Sequence, residues 1–94
     1  MPLEFEWDLR KARSNLAKHG VAFEEASTIF GDSLSLTIPD PEHSHMERRH
    51  ITMGIAYNGK LLVVVHTDRG DNIRIISARR ASRRERKFYE ETIE

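Results

Sequence analysis

The chain contains no cysteine. Disulfide staples, a thiol nucleophile and cysteine-ligated zinc are therefore excluded, and the absence suits a reducing compartment. It has no apolar run near the ~20 residues needed to cross a bilayer, and no basic segment leading into an apolar one at its start. No membrane partner is expected, and the expected location is the cytoplasm. No repeat or low-complexity segment is visible. Ninety-four residues suffice for one modest core and not for two, so a single domain over 1–94 is expected, stabilised by packing or by a partner subunit.

Positive charge is missing from one long stretch. Residues 20–47 hold no Lys or Arg but six acids (Glu24, Glu25, Asp32, Asp40, Glu42 and Glu47). Residues 69–87 hold eight of the fifteen basic residues (Arg69, Arg74, Arg79, Arg80, Arg83, Arg84, Arg86 and Lys87) against Asp71 and Glu85. The net charge of zero thus hides a strongly polar molecule. A dense arginine surface on a small domain is the footprint of phosphate binding, and RNA or DNA is the first partner to consider.

Ser82 followed by Glu85 reads as a capping box, starting a helix at about Arg83. Arg83 and Arg84 then sit at the positive end of the helix dipole and Glu90, Glu91 and Glu94 at its negative end, each misplacement costing roughly 0.3–1 kcal/mol. The Arg86–Glu90 and Lys87–Glu91 pairs run in the less favourable order. A solvated helix with an incidental charge run is one explanation. The cost in stability favours a surface kept for binding.

The remaining elements follow from patterning. Leu3 to Trp7 alternates as a short strand. Asp8 caps a helix through His19 that Gly20 ends, with Leu9, Ala12 and Leu16 as the apolar stripe and Lys11, Asn15 and Lys18 on a polar face. A second helix is predicted from about Ala22 to Phe30. Leu34 to Ile38 alternates up to Pro39, residues 39–47 form a polar loop, and residues 48–55 alternate again. Asn58-Gly59 marks a hairpin. Leu61 to His66 is apolar on both faces, a central strand; Arg69-Gly70-Asp71 turns the chain into a last strand, Ile73 to Arg79. The expected fold is α+β: an antiparallel sheet of four to five strands on two N-terminal helices, with a C-terminal helix.

FEWD at 5–8, Lys11, Asn15, KHGV at 18–21, FEEA at 23–26, LLVVVHT at 61–67 and IRIISARRAS at 73–82, followed by an arginine-rich tail, resemble the BrnT toxins. These are ribonuclease members of type II toxin–antitoxin systems, related in fold to the RelE-like toxins. The match keeps its order over nearly the whole chain. Ala22 and Ser33 depart from the Ser and Pro frequent in that family, and neither replaces a charged group. The resemblance implies an RNA-cleaving toxin that arrests translation and pairs with a BrnA-type antitoxin. That antitoxin carries a ribbon-helix-helix domain, and operator DNA would be contacted only through it, in a hetero-oligomer repressing its own operon. A non-catalytic nucleic-acid-binding or protein-docking module is the alternative.

Metal-free RNA cleavage needs a base for the 2′-OH, cations for the phosphorane, and an acid for the departing 5′-oxygen. Arg74 and Arg79 suit the second task, but their odd separation sends them to opposite faces of a regular strand unless it twists or bulges. His66, ending an apolar strand, is a candidate base. Lys18 and His19 are added to the catalytic set by the KHG block, although cations also suit a helix C-terminus structurally. Lys11, Arg80, Arg83, Arg84, Arg86 and Lys87 form a candidate RNA track, and Tyr89 could stack on a base or simply pack. His43, His45 and His50 match no zinc spacing, so neither metal nor other cofactor is expected.

Overall fold

The computed structural model describes residues 3–43 and 47–92. Five strands form one sheet: β1 (Glu4–Glu6), β2 (Leu36–Pro39), β3 (Arg49–Ile55), β4 (Leu61–Arg69) and β5 (Asn72–Arg80), in the spatial order β1-β5-β4-β3-β2. The expected antiparallel sheet holds for β2 to β5. It fails at β1, which runs parallel to β5 with Phe5 beside Ile73. Pairing β1 with the last strand joins residues far apart in sequence, and no local pattern encodes that choice.

Helix α1 (Leu9–His19) begins where Asp8 accepts from the backbone N–H groups of Arg10 and Lys11, at 2.8 and 3.1 Å. It ends at Gly20, whose left-handed φ of 70° a side chain would strain. The predicted second helix is shorter than its pattern. α2 (Phe23–Ser27) passes into a 3-10 turn over Thr28–Gly31, and Ala22 offers α2 no side-chain cap. The C-terminal helix α3 (Arg83–Thr92) starts as its capping box foretells.

Val21, Phe23, Ala26 and Ile29 pack with Leu62, Val64, Ile75 and Ala78 as the core, on one face of the sheet. Leu61 and Val63, on the opposite face of β4, are also buried. β2 is the outer strand beyond β3, where Pro39 is tolerated because no further ladder needs its missing N–H.

Of the Leu9–Ala12–Leu16 stripe, Ala12 packs against this core. Leu9 and Leu16 remain 67% and 52% exposed, while Asn15 is buried at 7%. β1 covers β5 only at residues 72–74, leaving the rest of that edge with unpaired backbone groups. A strand edge needs hydrogen bonds rather than apolar contact. The Asn15 side chain supplies them: Oδ1 accepts from the Ala78 N–H at 3.0 Å and Nδ2 donates to the Ala78 carbonyl at 2.8 Å. The same Nδ2 donates to the Val21 carbonyl at 2.9 Å, tying the chain after α1 to the same point. Asn15 therefore turns inward from the polar face of α1, while Lys11 and Lys18 stay exposed.

Candidate active site

Ladder register on β5 changes between the two arginines expected to act together. His66 pairs with Ile75 and Val65 with Ser77, so Ile76 has no partner on β4 and forms a β-bulge. Arg74 is opposite Thr67 and Arg79 opposite Val63, positions of equal parity on β4. The expectation of opposite faces is thereby corrected. One extra residue restores the phase, and Arg74, Ser77 and Arg79 share the sheet face away from the core.

Two hollows meet at the bulge. One, of about 200 Å³, has Lys11, Ser14, Asn15, Lys18 and His19 of α1 on one wall and Ile76 and Ser77 on the other. The second, of about 350 Å³, continues from Ile76 and Ser77 over Ile51, Val63 and Val65 to Arg49 and Arg79, with Asp40 and Glu42 at its margin. Lys18 and His19 thus flank Ser77 from one side and Arg79 from the other. The arrangement follows from Asn15, which clamps α1 onto the strand directly after the bulge.

Arg79 is held firmly. Two guanidinium nitrogens each donate to Glu85, both at 2.8 Å, and Nη1 also donates to the Arg80 carbonyl at 3.3 Å. Glu85 in turn accepts from the Ser82 N–H at 2.8 Å, while the Ser82 hydroxyl accepts from the Glu85 N–H at 3.1 Å. The capping box therefore has a third member. The Arg79 hydrogen bond, chiefly, holds the Glu85 carboxyl down at about 2, and the same bond raises the pKa of the guanidinium. Arg74 makes a looser contact with Glu6 of the neighbouring strand, at 3.6 Å, and lines neither hollow.

His66 is elsewhere. It lies on the core face, 5% exposed, edge-on to Phe30 at 4.9 Å between ring centroids and stacked on His50 at 5.8 Å. Its Nε2 is 2.7 Å from the Thr52 hydroxyl, itself 2.7 Å from that of Thr37. Among the described residues Nδ1 is buried without a hydrogen-bond partner. Burial first, then the neighbouring His50, push the imidazole down to about 4, against a smaller opposing effect of Asp68. The sheet separates it from the arginines.

Arg80, Arg83, Arg84, Arg86 and Lys87 are exposed, as an RNA track requires. The Arg86–Glu90 and Lys87–Glu91 contacts, at 3.7 and 4.0 Å, are exposed pairs of small energetic consequence. Of the two roles open to Tyr89 the structure gives packing: it is 4% exposed, and its hydroxyl donates to Asp32 Oδ2 at 2.7 Å. That oxygen also accepts from the Ile55 N–H at 2.9 Å, so Tyr89 anchors α3 to the body of the domain. Its neighbour Phe88 is the exposed aromatic, at 57%.

Ser77 and Arg49 were not singled out by sequence reasoning. Arg49 carried a signal, as the one charged residue in the apolar phase of β3; Ser77 carried none. Among the described residues no three or more His, Asp or Glu side chains cluster as a metal site. The His43–His45 pair falls at the edge of what is described, His45 lying outside it. No helix among the described residues is long and apolar enough to cross a membrane.

The architecture is that of a small α+β domain, a five-stranded sheet with α1 and α2 before its main strands and α3 after them. The crystal structure of the Brucella abortus ribonuclease toxin BrnT superposes with a TM-score of 0.68 over 87% of this chain and 100% of that one, at 22% identity. At that identity the likeness establishes the fold. The family model for the ribonuclease toxin BrnT of type II toxin–antitoxin systems matches residues 7–85. The chain belongs to the BrnT family. No curated protein sequence matches it.

Proposed function

We propose that the chain is a metal-independent endoribonuclease that acts at the β5 bulge, arrests translation in the cytoplasm and is neutralised by a BrnA-type ribbon-helix-helix antitoxin. Membership of a ribonuclease toxin family supports the reaction class. The single observation that carries the location is the meeting of Lys18, His19 and Arg79 around Ser77.

In this reading the scissile phosphate lies over Ser77. Lys18 and Arg79 approach its non-bridging oxygens from opposite sides and stabilise the charge that builds in the phosphorane. His19 takes the 2′-OH proton, since imidazole is the side chain that accepts and returns protons near neutral pH. The 2′-oxygen attacks phosphorus, the bond to the 5′-oxygen breaks, and that oxygen takes a proton from solvent water as it leaves. The products carry a 2′,3′-cyclic phosphate and a 5′-hydroxyl. Lys11 extends the cationic wall along α1, Arg74 extends it along β5, and Arg80, Arg83, Arg84, Arg86 and Lys87 hold the flanking RNA. His66 serves the core.

The deciding experiment is cleavage of a labelled RNA in excess EDTA, with analysis of the product ends. Fragments ending in 2′,3′-cyclic phosphate are expected. Loss of activity in EDTA and its recovery with a divalent ion would refute the mechanism, and binding without any fragments would favour a non-catalytic module.

A further inference from the structure

The larger hollow holds a second cation to which the cleavage scheme gives no task. Arg49 opens β3, on whose row Ile51 stands opposite Val65, and Val65 in turn opposite Ser77. Arg49 therefore shares the sheet face of Ser77 and Arg79, and it lines the same hollow of about 350 Å³. Between the two arginines the floor is apolar, made by Ile51, Val63, Val65 and Ile76. Ile38, paired with Ile51 from β2, extends this surface outward and is 57% exposed. On β4, Arg79 is paired with Val63 and Arg49 with Thr67, four residues along, and the two arginines are two strands apart. At about 3.4 Å per residue and about 4.8 Å between strands, their Cα atoms stand roughly 16 Å apart. Arg79 is drawn to Glu85 beyond the end of β5, while Arg49 Nε is 3.5 Å from Glu47, ahead of β3. Two cations held at opposite ends in this way grip two phosphates rather than one.

Place and chemistry select the occupant together. Ile76 and Ser77 line both hollows, so this one opens directly onto the position given to the scissile phosphate. Asp40 and Glu42 stand at its margin, where an acidic peptide would bring carboxylates against carboxylates. A nucleotide carries its charge only on phosphate and offers an uncharged sugar and base to the apolar floor. We propose that the hollow is the nucleotide subsite next to the scissile phosphate, with sugar and base on Ile51, Val63 and Val65 and the neighbouring phosphate on Arg49. The proposal rests on the cleavage site at the β5 bulge. It makes Arg49 a substrate-binding residue, and it makes an RNA with at least two phosphates the smallest fully bound substrate.

The test measures binding of a 2′-O-methyl RNA tetranucleotide, which has no 2′-OH to react, by fluorescence anisotropy over a salt series. Arg49→Ala should weaken binding about tenfold and reduce the slope of log K against log salt by about 0.7, the loss of one phosphate contact. Arg49→Lys, which keeps the charge, should restore the slope. Replacing one of the two outer phosphates by an uncharged methylphosphonate should cost the wild type about tenfold and cost Arg49→Ala nothing further. An Arg49→Ala slope equal to that of the wild type would overturn the proposal. Should that variant melt early, the wild type decides alone: a methylphosphonate without effect at either outer position would overturn the proposal as well. Failure of the cleavage reading shows separately, as wild-type protein that leaves unmodified RNA intact.

Discussion

Arg79 and Glu85 form a two-pronged ion pair across the junction of β5 and α3, each guanidinium nitrogen 2.8 Å from a carboxylate oxygen. The arginine expected to grip phosphate therefore has three donated hydrogen bonds already assigned, two to Glu85 and one to the Arg80 carbonyl, and its plane is fixed before RNA arrives. The fixing residue is also the helix cap, so the orientation of the cation and the start of α3 are set by one carboxylate.

The first expectation concerns acid. Glu85 has its folded-state pKa depressed to about 2 from an ordinary 4.5, so its stabilising effect is full above about 4.5 and is lost as pH falls towards 2. Because Arg79 is 45% exposed, solvent screening reduces the effect to about 1 kcal/mol. Urea denaturation at pH 6 and pH 3 should show Glu85→Gln less stable at pH 6, with the gap closing at pH 3. A constant gap would separate the cap from its ionisation.

Among the cations, Arg79→Ala should reduce cleavage most, by about a few hundredfold, the loss of one transition-state donor worth about 3–4 kcal/mol. Arg74→Ala should cost less, since that side chain is turned to Glu6 and lines neither hollow. Single changes at Arg83, Arg84 or Arg86 should weaken RNA binding modestly and leave the turnover rate. Thermal melts and single-turnover kinetics on each variant make the comparison. An indispensable α3 arginine beside a dispensable Arg79 would move the site onto the helix.

Binding to single-stranded RNA should depend steeply on salt. With four to five phosphate contacts, log K should fall against log salt with a slope of about −3, at roughly −0.7 per contact. A filter-binding series between low and moderate salt measures it, and a flat response would remove the electrostatic basis of the RNA track.

Asn15→Ala should destabilise the fold by about 2–4 kcal/mol, because it leaves the Ala78 N–H and the Ala78 and Val21 carbonyls without their partner. If Asn15 also sets the distance between His19 and Arg79, its effect on the cleavage rate should shrink in an Arg79→Ala background. A double-mutant cycle on single-turnover rates gives the coupling. Strict additivity would confine Asn15 to stability.

For His66, His66→Gln should retain cleavage. The imidazole's folded pKa of about 4 lies below the ordinary 6.5, so stability is full above about 6.5 and is lost as pH falls towards 4. Replacement by Gln should remove that part of the acid sensitivity, as followed by circular dichroism. A folded but inactive His66→Gln protein would restore this residue to the catalytic set.

Local signals were read correctly where a few neighbouring residues decide the outcome: Asp8 and Gly20 bound α1, Asn58-Gly59 turns the hairpin, and Ser82 with Glu85 starts α3. The basic segment, and with it the side of the molecule to search, was equally plain. What escaped depends on distant partners. Tyr89 is buried because Asp32, far back in the chain, receives its hydroxyl. β1 runs parallel because its neighbour is the last strand. In the apolar stripe of α1 only Ala12 packs on the core while Leu9 and Leu16 stay exposed, and the free edge of β5 is met by the amide of Asn15. Ile76 carries no bulge signature: nothing in Arg-Ile-Ile-Ser reveals which isoleucine the ladder will skip.

That skipped isoleucine makes the site a matter of counting. Between Arg74 and Arg79 the chain needs an even number of paired steps, and Ile76 is the surplus that makes the tally even. Drawing the bulge straight, with Ile76 paired into the ladder, would leave every side chain of the site in the protein while turning Arg74 through the sheet to the far side. The position thus contributes one residue of length as well as an isoleucine side chain that lines both hollows.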